Sequence, residues 1–206
     1  MLAFRLDDFS RFADVIRIDD GRPAIVRFVE PSDADAVVAY FRDLSPHVRH
    51  NRFLGGASEL PPNELQKILH VGEGNHFAVI VAMKIDGAST IMGEARYVVD
   101  DDSGAFEFGM SVGDAWQRQG VGAAIIANLA CRAAAFGATQ MIGDTLRSNV
   151  EMIGLARKSE FRFIATPGDW QQVRFVKDIH TEPQDIPCAN WKRAAIEAMT
   201  SANALV

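Results

Sequence analysis

The chain has 206 residues, 48% of them hydrophobic and 23% charged, which suits an ordinary globular domain with short extensions and excludes wholesale disorder. Its 21 basic and 27 acidic residues leave a net charge of −6, so bulk charge argues against a non-specific nucleic-acid binder. Its two cysteines, Cys131 and Cys188, lack CxxC spacing and predict neither a disulfide framework nor a zinc cluster.

In chain order, β-rich runs at 15–22 and 24–29 flank Asp20-Gly21 and predict a hairpin. Pro31-Ser32-Asp33-Ala34-Asp35 predicts a helix start capped by Ser32 and running to about Leu44. Shorter helical pieces are expected over 46–53 and, opened by Pro61-Pro62, up to His70. Strands follow at 76–83, 90–99 and 105–112, with turns at Asp86-Gly87 and at 100–104. Val121, Ile125, Leu129, Ala133 and Phe136 recur at helical spacing and predict an amphipathic helix over 121–136. A strand at 140–146 and a helix opened by Ser148-Asn149-Val150-Glu151, with Ser148 as cap, come next. Strands at 161–165 and 171–179 close the pattern around Pro167-Gly168. The order of elements predicts an α+β fold with a mixed sheet.

No segment reads as a leader or a membrane span. Asp7 and Asp8 fall where a leader needs an apolar run. The apolar stretch 121–138 is mostly alanine and is broken by Asn128 and Arg132, short of the ~20 strongly apolar residues a bilayer demands. A soluble protein in a reducing, cytoplasmic setting, with no membrane or nucleic-acid partner, is the expectation.

The stretch that carries chemistry is Gln117-Arg118-Gln119-Gly120-Val121-Gly122-Ala123, between a strand and a helix. Glycines 120 and 122 let the backbone turn tightly and expose successive N–H groups, which with the helix N-terminus make an anion site suited to a pyrophosphate. Arg118 adds a charged contact. Two glycines can also simply punctuate a connection. Without a following Lys-Ser or Lys-Thr, a P-loop is excluded. A dinucleotide fingerprint, with Asp144 as ribose carboxylate, is the sharper rival. It fails because Ile125 stands where the third glycine belongs and residues 113–119 separate the strand from the glycines.

Gln117-x-x-Gly120-x-Gly122, with Val112 five residues before it, resembles the acyl-CoA pyrophosphate motif of the GNAT superfamily of N-acyltransferases. Asn149 at the next helix start and Ala156-Arg157-Lys158-Ser159-Glu160-Phe161 continue the match, the latter in the place of "A-R-K-L-G-F". Phe41-Arg42-Asp43-Leu44-Ser45-Pro46-His47-Val48-Arg49 is similar to "F-x-x-L-S-P-E-x-R" of bacterial protein-lysine acetyltransferases, and Leu60-Pro61-Pro62-Asn63-Glu64-Leu65 to their "L-S-P-E-E-L". The resemblance covers about 24–179. It implies a GNAT-type, mostly antiparallel central sheet flanked by helices. The chain would then divide into an N-terminal extension with the first hairpin strand (1–22), the acyltransferase domain (23–180) and a C-terminal tail with a short helix (181–206).

The resemblance also implies acetyl-CoA as cosubstrate and an amine acceptor, either a protein lysine or a small molecule. An ordinary amine, with a pKa of ~10.4, must lose a proton to attack a thioester. Glu107 matches the family's catalytic glutamate, and flanking Phe106 and Phe108 would raise its pKa by desolvation. The competing reading makes Glu107 the solvent-facing residue of an alternating strand. Met110 and Val112 match positions whose main chains pair with the pantetheine arm, the Val112 N–H serving the thioester oxyanion. The pyrophosphate would be held by Gln117, Arg118, Gln119, Gly120, Val121, Gly122 and Ala123. Asn149 matches a residue that contacts the cofactor arm, with helix capping as the competing role. The sequence departs from the family at two places. Ala156 stands where many members carry a tyrosine acid, as it does in the protein-lysine enzymes, and Glu160 replaces a glycine and makes a positive φ costlier. A non-catalytic acyl-CoA-binding regulatory module is the alternative reading.

The remaining features read as structural. His47 and His50 share a helix face without a third ligand, so no metal is expected. Cys131 reads as a small buried hydrophobe. Trp191, Ala195, Ile196 and Met199 form an amphipathic tail whose sequence leaves three fates open: packing on its own domain, docking in a homodimer, or fraying.

Overall fold

A computed structural model describes residues 9–54, 59–100, 102–166 and 168–203. The expected hairpin forms from β1 (Asp14–Arg17) and β2 (Pro23–Phe28). The start of α1 (Ala34–Asp43) differs from the expectation that Ser32 caps it. A 3-10 turn over Pro31–Asp33 precedes the helix, and Asp33 accepts from the Glu30 N–H at 2.8 Å and from both Arg27 Nη atoms at 2.7 Å. That ion pair anchors the turn to β2, which Ser32 has no means of doing. Ser45 caps α2 (Pro46–Arg52) by accepting from the Val48 N–H at 3.3 Å, and α3 is Pro62–Leu69; both helices carry proline in the first turn, where its missing N–H costs nothing.

The meander comprises β3 (His76–Ile85), β4 (Ala88–Val99) and β5 (Ala105–Val112), and it is followed by α4 (Val121–Phe136) and β6 (Gln140–Leu146). The chain closes with α5 (Val150–Lys158), β7 (Arg162–Ala165), β8 (Gln172–Asp178) and α6 (Ala189–Asn203). All eight strands join one sheet in the order β1-β2-β3-β4-β5-β6-β8-β7. Every neighbouring pair is antiparallel except β5 with β6. This is the mixed, mostly antiparallel α+β architecture that the order of elements predicts.

Both faces of the sheet are covered. On one, α1, α2 and α3 bury Val37, Phe41, Val48 and Ile68 against Ala78 and Ile80. On the other, α4 and α6 close over an aromatic core of Phe28, Phe77, Tyr97, Phe106, Phe136 and Trp191. The expected apolar face of α4, Val121, Ile125, Leu129, Ala133 and Phe136, is buried, and Asn128 and Arg132 are buried with it while Ala123 and Ala127 are exposed. Arg132, with no exposed surface, lies 4.7 Å from the Phe28 ring and 4.6 Å from that of Trp191. Its guanidinium donates to Asn128 Oδ1 at 2.7 Å, the Tyr97 hydroxyl at 3.4 Å and the Phe12 carbonyl at 3.4 Å. A buried guanidinium is tolerated only when its donors are matched in this way.

The tail packs on its own domain, with Trp191 and Ala195 fully buried and Ile196 and Met199 left exposed. The cysteine reading needs correction, since Cys131 of α4 and Cys188 at the start of α6 form a disulfide across 57 residues of sequence. Cysteine usage therefore carries no argument for a reducing compartment. Among the described residues no helix is long and apolar enough to cross a membrane.

Candidate active site

The site begins where β5 and β6 part. Their parallel register covers only Ala105–Gln140, Phe106–Met141 and Glu107–Ile142. Beyond it β5 stays paired to β4 as far as Val112, and β6 turns toward β8. The edge of β5 facing β6 is therefore open from Phe108 onward. The Gly113 N–H bonds Met92 of β4 at 2.9 Å. Alternate N–H groups along a strand point to opposite edges, so those of Val112 and Met110 point into the gap. These are the two main chains expected to face the cofactor arm. Such an unpaired edge is a template for an extended ligand with amide groups.

The gap opens into a cleft of about 1040 Å³. At one end lies the loop from β5 to α4, the candidate anion site. Arg118 and Gly120 adopt left-handed backbone, with φ of 58° and 79°, and helix α4 starts directly afterwards, so the positive end of its dipole lies beside Gly120, Gly122 and Ala123 of the cleft lining. Glycine 120 is favoured by its φ, and a Cβ there would also displace the Asp19 carboxylate that lies against it. Glycine 122 sits inside the helix, and its Cβ would come 2.9 Å from Leu155 of α5, so its role is to let the two helices close around the cleft. The Gln117 amide donates to the Val112 carbonyl at 3.3 Å and ties the loop back to the strand.

Of the residues expected to serve the cofactor, Met110, Val112, Gln117, Arg118, Gly120, Gly122, Ala123 and Asn149 line this cleft, as does Glu107. Two do not. Val121 is 1% exposed and packs into the core, and the Gln119 side chain turns away to donate to Ala115 O at 2.7 Å. Asn149, rather than Ser148, caps α5, accepting from the Met152 N–H and donating to Thr145 Oγ1, both at 3.1 Å. Glu160 takes the strained left-handed conformation anticipated for it, with φ of 63°.

Glu107 sits at the vertex of the gap, on the opposite face of β5 from Phe106 and Phe108, and is exposed. The desolvation expected from the two rings is therefore absent, because strand alternation turns the carboxylate away from them. Its face of β5 also carries Gly109 and Ser111, beneath α1 and α2. There the structure assembles a network that sequence reasoning missed. The Arg52 guanidinium lies over Gly109 and pairs with Glu94 of β4. Ser111 donates to Glu94 at 3.0 Å, and the Tyr40 hydroxyl lies 3.0 Å from Ser111 Oγ. Arg96 reaches Glu64 at 2.7 Å, and Glu64 also holds Lys67 at 2.8 Å.

Burial by itself would raise the Glu94 carboxyl, but Arg52 and Arg96 overcome it and hold Glu94 below its ordinary value. Burial also pushes the Tyr40 hydroxyl far upward. Tyr97, the other tyrosine, is pushed up to about 12 by burial and bonded by Arg132. Ala156, at the position where many family members carry a tyrosine acid, is itself fully buried. Asp144, the rival ribose ligand, is held by Arg174 at 3.0 and 2.7 Å. His47 and His50 are exposed, with His47 Nε2 3.1 Å from Asn51.

A strand edge that opens beside an amide-rich loop at a helix N-terminus, with an acid at the vertex, is an arrangement suited to acyl transfer. The sequence profile of the Acetyltransferase (GNAT) family matches residues 46–161, more than half of the chain. The protein belongs to that family, and its fold and class of activity are those of a GNAT acyltransferase. The Acetyltransferase PA5475 of Pseudomonas aeruginosa is 28% identical over 156 residues, which are 76% of this chain and 84% of that one. The GNAT domain of Streptomyces lividans PAT superposes with a TM-score of 0.74 at 20% identity, covering 82% of this chain and 98% of that one. The ribosomal-protein-S5-alanine acetyltransferase of Vibrio fischeri gives a TM-score of 0.61 at 18% identity, over 76% and 93% of the two chains.

Proposed function

We propose that the protein transfers an acetyl group from acetyl-CoA to a primary amine, of a protein lysine or a small molecule, with Glu107 as general base. The observation that carries this reading is the open edge of β5 leading from the amide loop at 118–122 to Glu107 at the vertex. The pyrophosphate lies on the loop amides with Arg118 beside it. The pantetheine arm pairs with the main chain of Met110 and Val112 and extends the sheet as a strand would. Because those groups are main chain, the net charge of −6 is no obstacle to binding an anionic cosubstrate.

The acceptor enters from the face that carries Glu107, Gly109 and Ser111. Its nitrogen attacks the thioester carbonyl, and Glu107, directly or through one water, takes the proton that the amine sheds. The Val112 N–H stabilises the developing oxyanion. The C–S bond then breaks, and the thiolate leaves unassisted or is protonated by water. With an ordinary thiol pKa of ~8.5 it is a tolerable leaving group.

The test is thiol release from acetyl-CoA against lysine peptides and small amines side by side. Glu107→Gln is expected to lower kcat about 10²- to 10⁴-fold, the usual weight of a general base, with CoA affinity unchanged in calorimetry. Wild-type turnover in that variant removes Glu107 from the base role. Tight CoA binding without thiol release to any amine favours the non-catalytic acyl-CoA-binding module instead.

A further inference from the structure

The tip of the β1–β2 hairpin, which the family profile does not reach, lies against the pyrophosphate loop. The Asp19 N–H donates to the Gln119 carbonyl at 3.0 Å. Arg22 Nη2 donates to the Gln119 side-chain oxygen at 3.3 Å, while the amide nitrogen of the same side chain donates to Ala115 O at 2.7 Å. The Arg22 guanidinium also stands 5.6 Å from the Trp116 ring centroid. Asp20 in turn holds Arg22, through the Arg22 N–H at 3.0 Å and through Arg22 Nε. The hairpin thus touches the loop at 116, 119 and 120. This is where the backbone takes the left-handed turns at Arg118 and Gly120, both of which line the cleft. A non-glycine residue held at positive φ needs surrounding structure to hold it there, and Gln119, the residue between the two, is the one the hairpin grips.

We infer that the hairpin tip is part of the acyl-CoA machinery, with Arg22 a positioning residue that holds the pyrophosphate loop in its anion-binding shape through Gln119 and Trp116. Arg22 acts on the phosphate end of the cosubstrate and not on the chemistry at Glu107. Loss of the clasp therefore weakens acetyl-CoA without slowing the bound complex. The inference rests on the acetyl-CoA reading above.

The experiment compares two acetyl donors, acetyl-CoA and the acetyl thioester of N-acetylcysteamine, which has the thioester but no pyrophosphate. For Arg22→Ala the KM of acetyl-CoA is expected to rise about 3- to 10-fold, the weight of one or two exposed charge-assisted hydrogen bonds. Its kcat and the kcat/KM of the short thioester should stay at wild-type values. Gln119→Ala should reproduce that rise, and the double variant should add nothing to either single one, since both remove the same clasp. Additive effects, unchanged acetyl-CoA kinetics, or an equal loss with both donors each overturn the inference, the last because it marks general damage to the fold. Wild-type protein that binds no CoA overturns the acetyl-CoA reading itself and this inference with it. Wild-type binding with indifferent variants overturns the inference alone.

Discussion

The two faces and edges of β5 do different work with different parts of the chain. Toward β6 and α4 the strand offers main-chain groups, those of Met110 and Val112, continued by the amides of the loop at 118–122. Toward α1 and α2 it offers side chains, the exposed Glu107 and the buried Ser111, the latter set among the Tyr40 hydroxyl and the charges of Arg52, Glu94 and Arg96. A main-chain site needs only glycines in the right places and a strand partner that leaves early. A side-chain site needs buried charges to be matched, and each match must come from another element. The first kind tolerates almost any side chain at its non-glycine positions; the second is lost with a single carboxylate.

The largest expected effect is on the side-chain half. Glu94→Gln leaves Arg52 and Arg96 without their shared counter-charge and should cost about 3–5 kcal/mol in urea unfolding. Acetyl-CoA affinity should hold, because the main-chain half is untouched; an equal loss of CoA binding would show that the two halves are not independent. The pH dependence has a definite sign. Glu94 is held below its ordinary value in the folded protein. The advantage of wild type over Glu94→Gln is therefore full above about pH 4.3 and is lost as the pH falls through the lower folded value.

Next in size is the disulfide, which supports α4 from the end remote from the loop. Closing a loop across 57 residues constrains the unfolded chain by about 4 kcal/mol in the chain-entropy estimate, with 2–4 the common range. Reduction, or Cys188→Ser, should lower the unfolding free energy by that order. It should leave acetyl-CoA kinetics of the folded fraction unchanged, since Cys131 lies about 15 Å along the helix from the loop. A change in acetyl-CoA KM on reduction would tie the disulfide to the main-chain half of the site.

The smallest effect belongs to Asn149, where main-chain and side-chain roles meet. Both ends of its amide are engaged, with Met152 and Thr145. Asn149→Ala is therefore expected to cost about 1 kcal/mol of stability as a lost helix cap. Its acetyl-CoA KM should stay within about twofold, since the bonds it makes are to its own fold. A rise of about tenfold, worth ~1.4 kcal/mol, would return Asn149 to the cofactor contacts.

Much of the architecture was legible from local pattern. Expected bounds for β5, α4 and β6 coincide with those found, because alternation, helical period and glycine punctuation are all properties of neighbours in sequence. The glycine loop at 118–122 was legible for the same reason. What pattern missed was decided by contact. Asn128 and Arg132 read only as breaks in an apolar stretch, yet both are buried, Arg132 beneath Phe12 and Trp191 of α6. Ser32 gives way to a 3-10 turn held by the Arg27-bound Asp33, and the cap of α5 moves from Ser148 to Asn149, since several neighbours had the right chemistry and only geometry chose. Glu107 kept its place at the vertex but not the apolar surroundings that its neighbours suggested.

By itself, then, the sequence determined the mixed sheet, the amide loop and the placement of Glu107 on the strand before it. Each is written in residues within a few positions of one another. Only the tertiary structure decided that Arg52 meets Glu94 across 42 residues, that Tyr40 meets Ser111 across 71, that Cys131 meets Cys188, and that a terminal hairpin grips the loop. The physical reason is that main-chain function depends on local dihedral angles, whereas charge matching and cross-linking depend on which distant surfaces the core brings together.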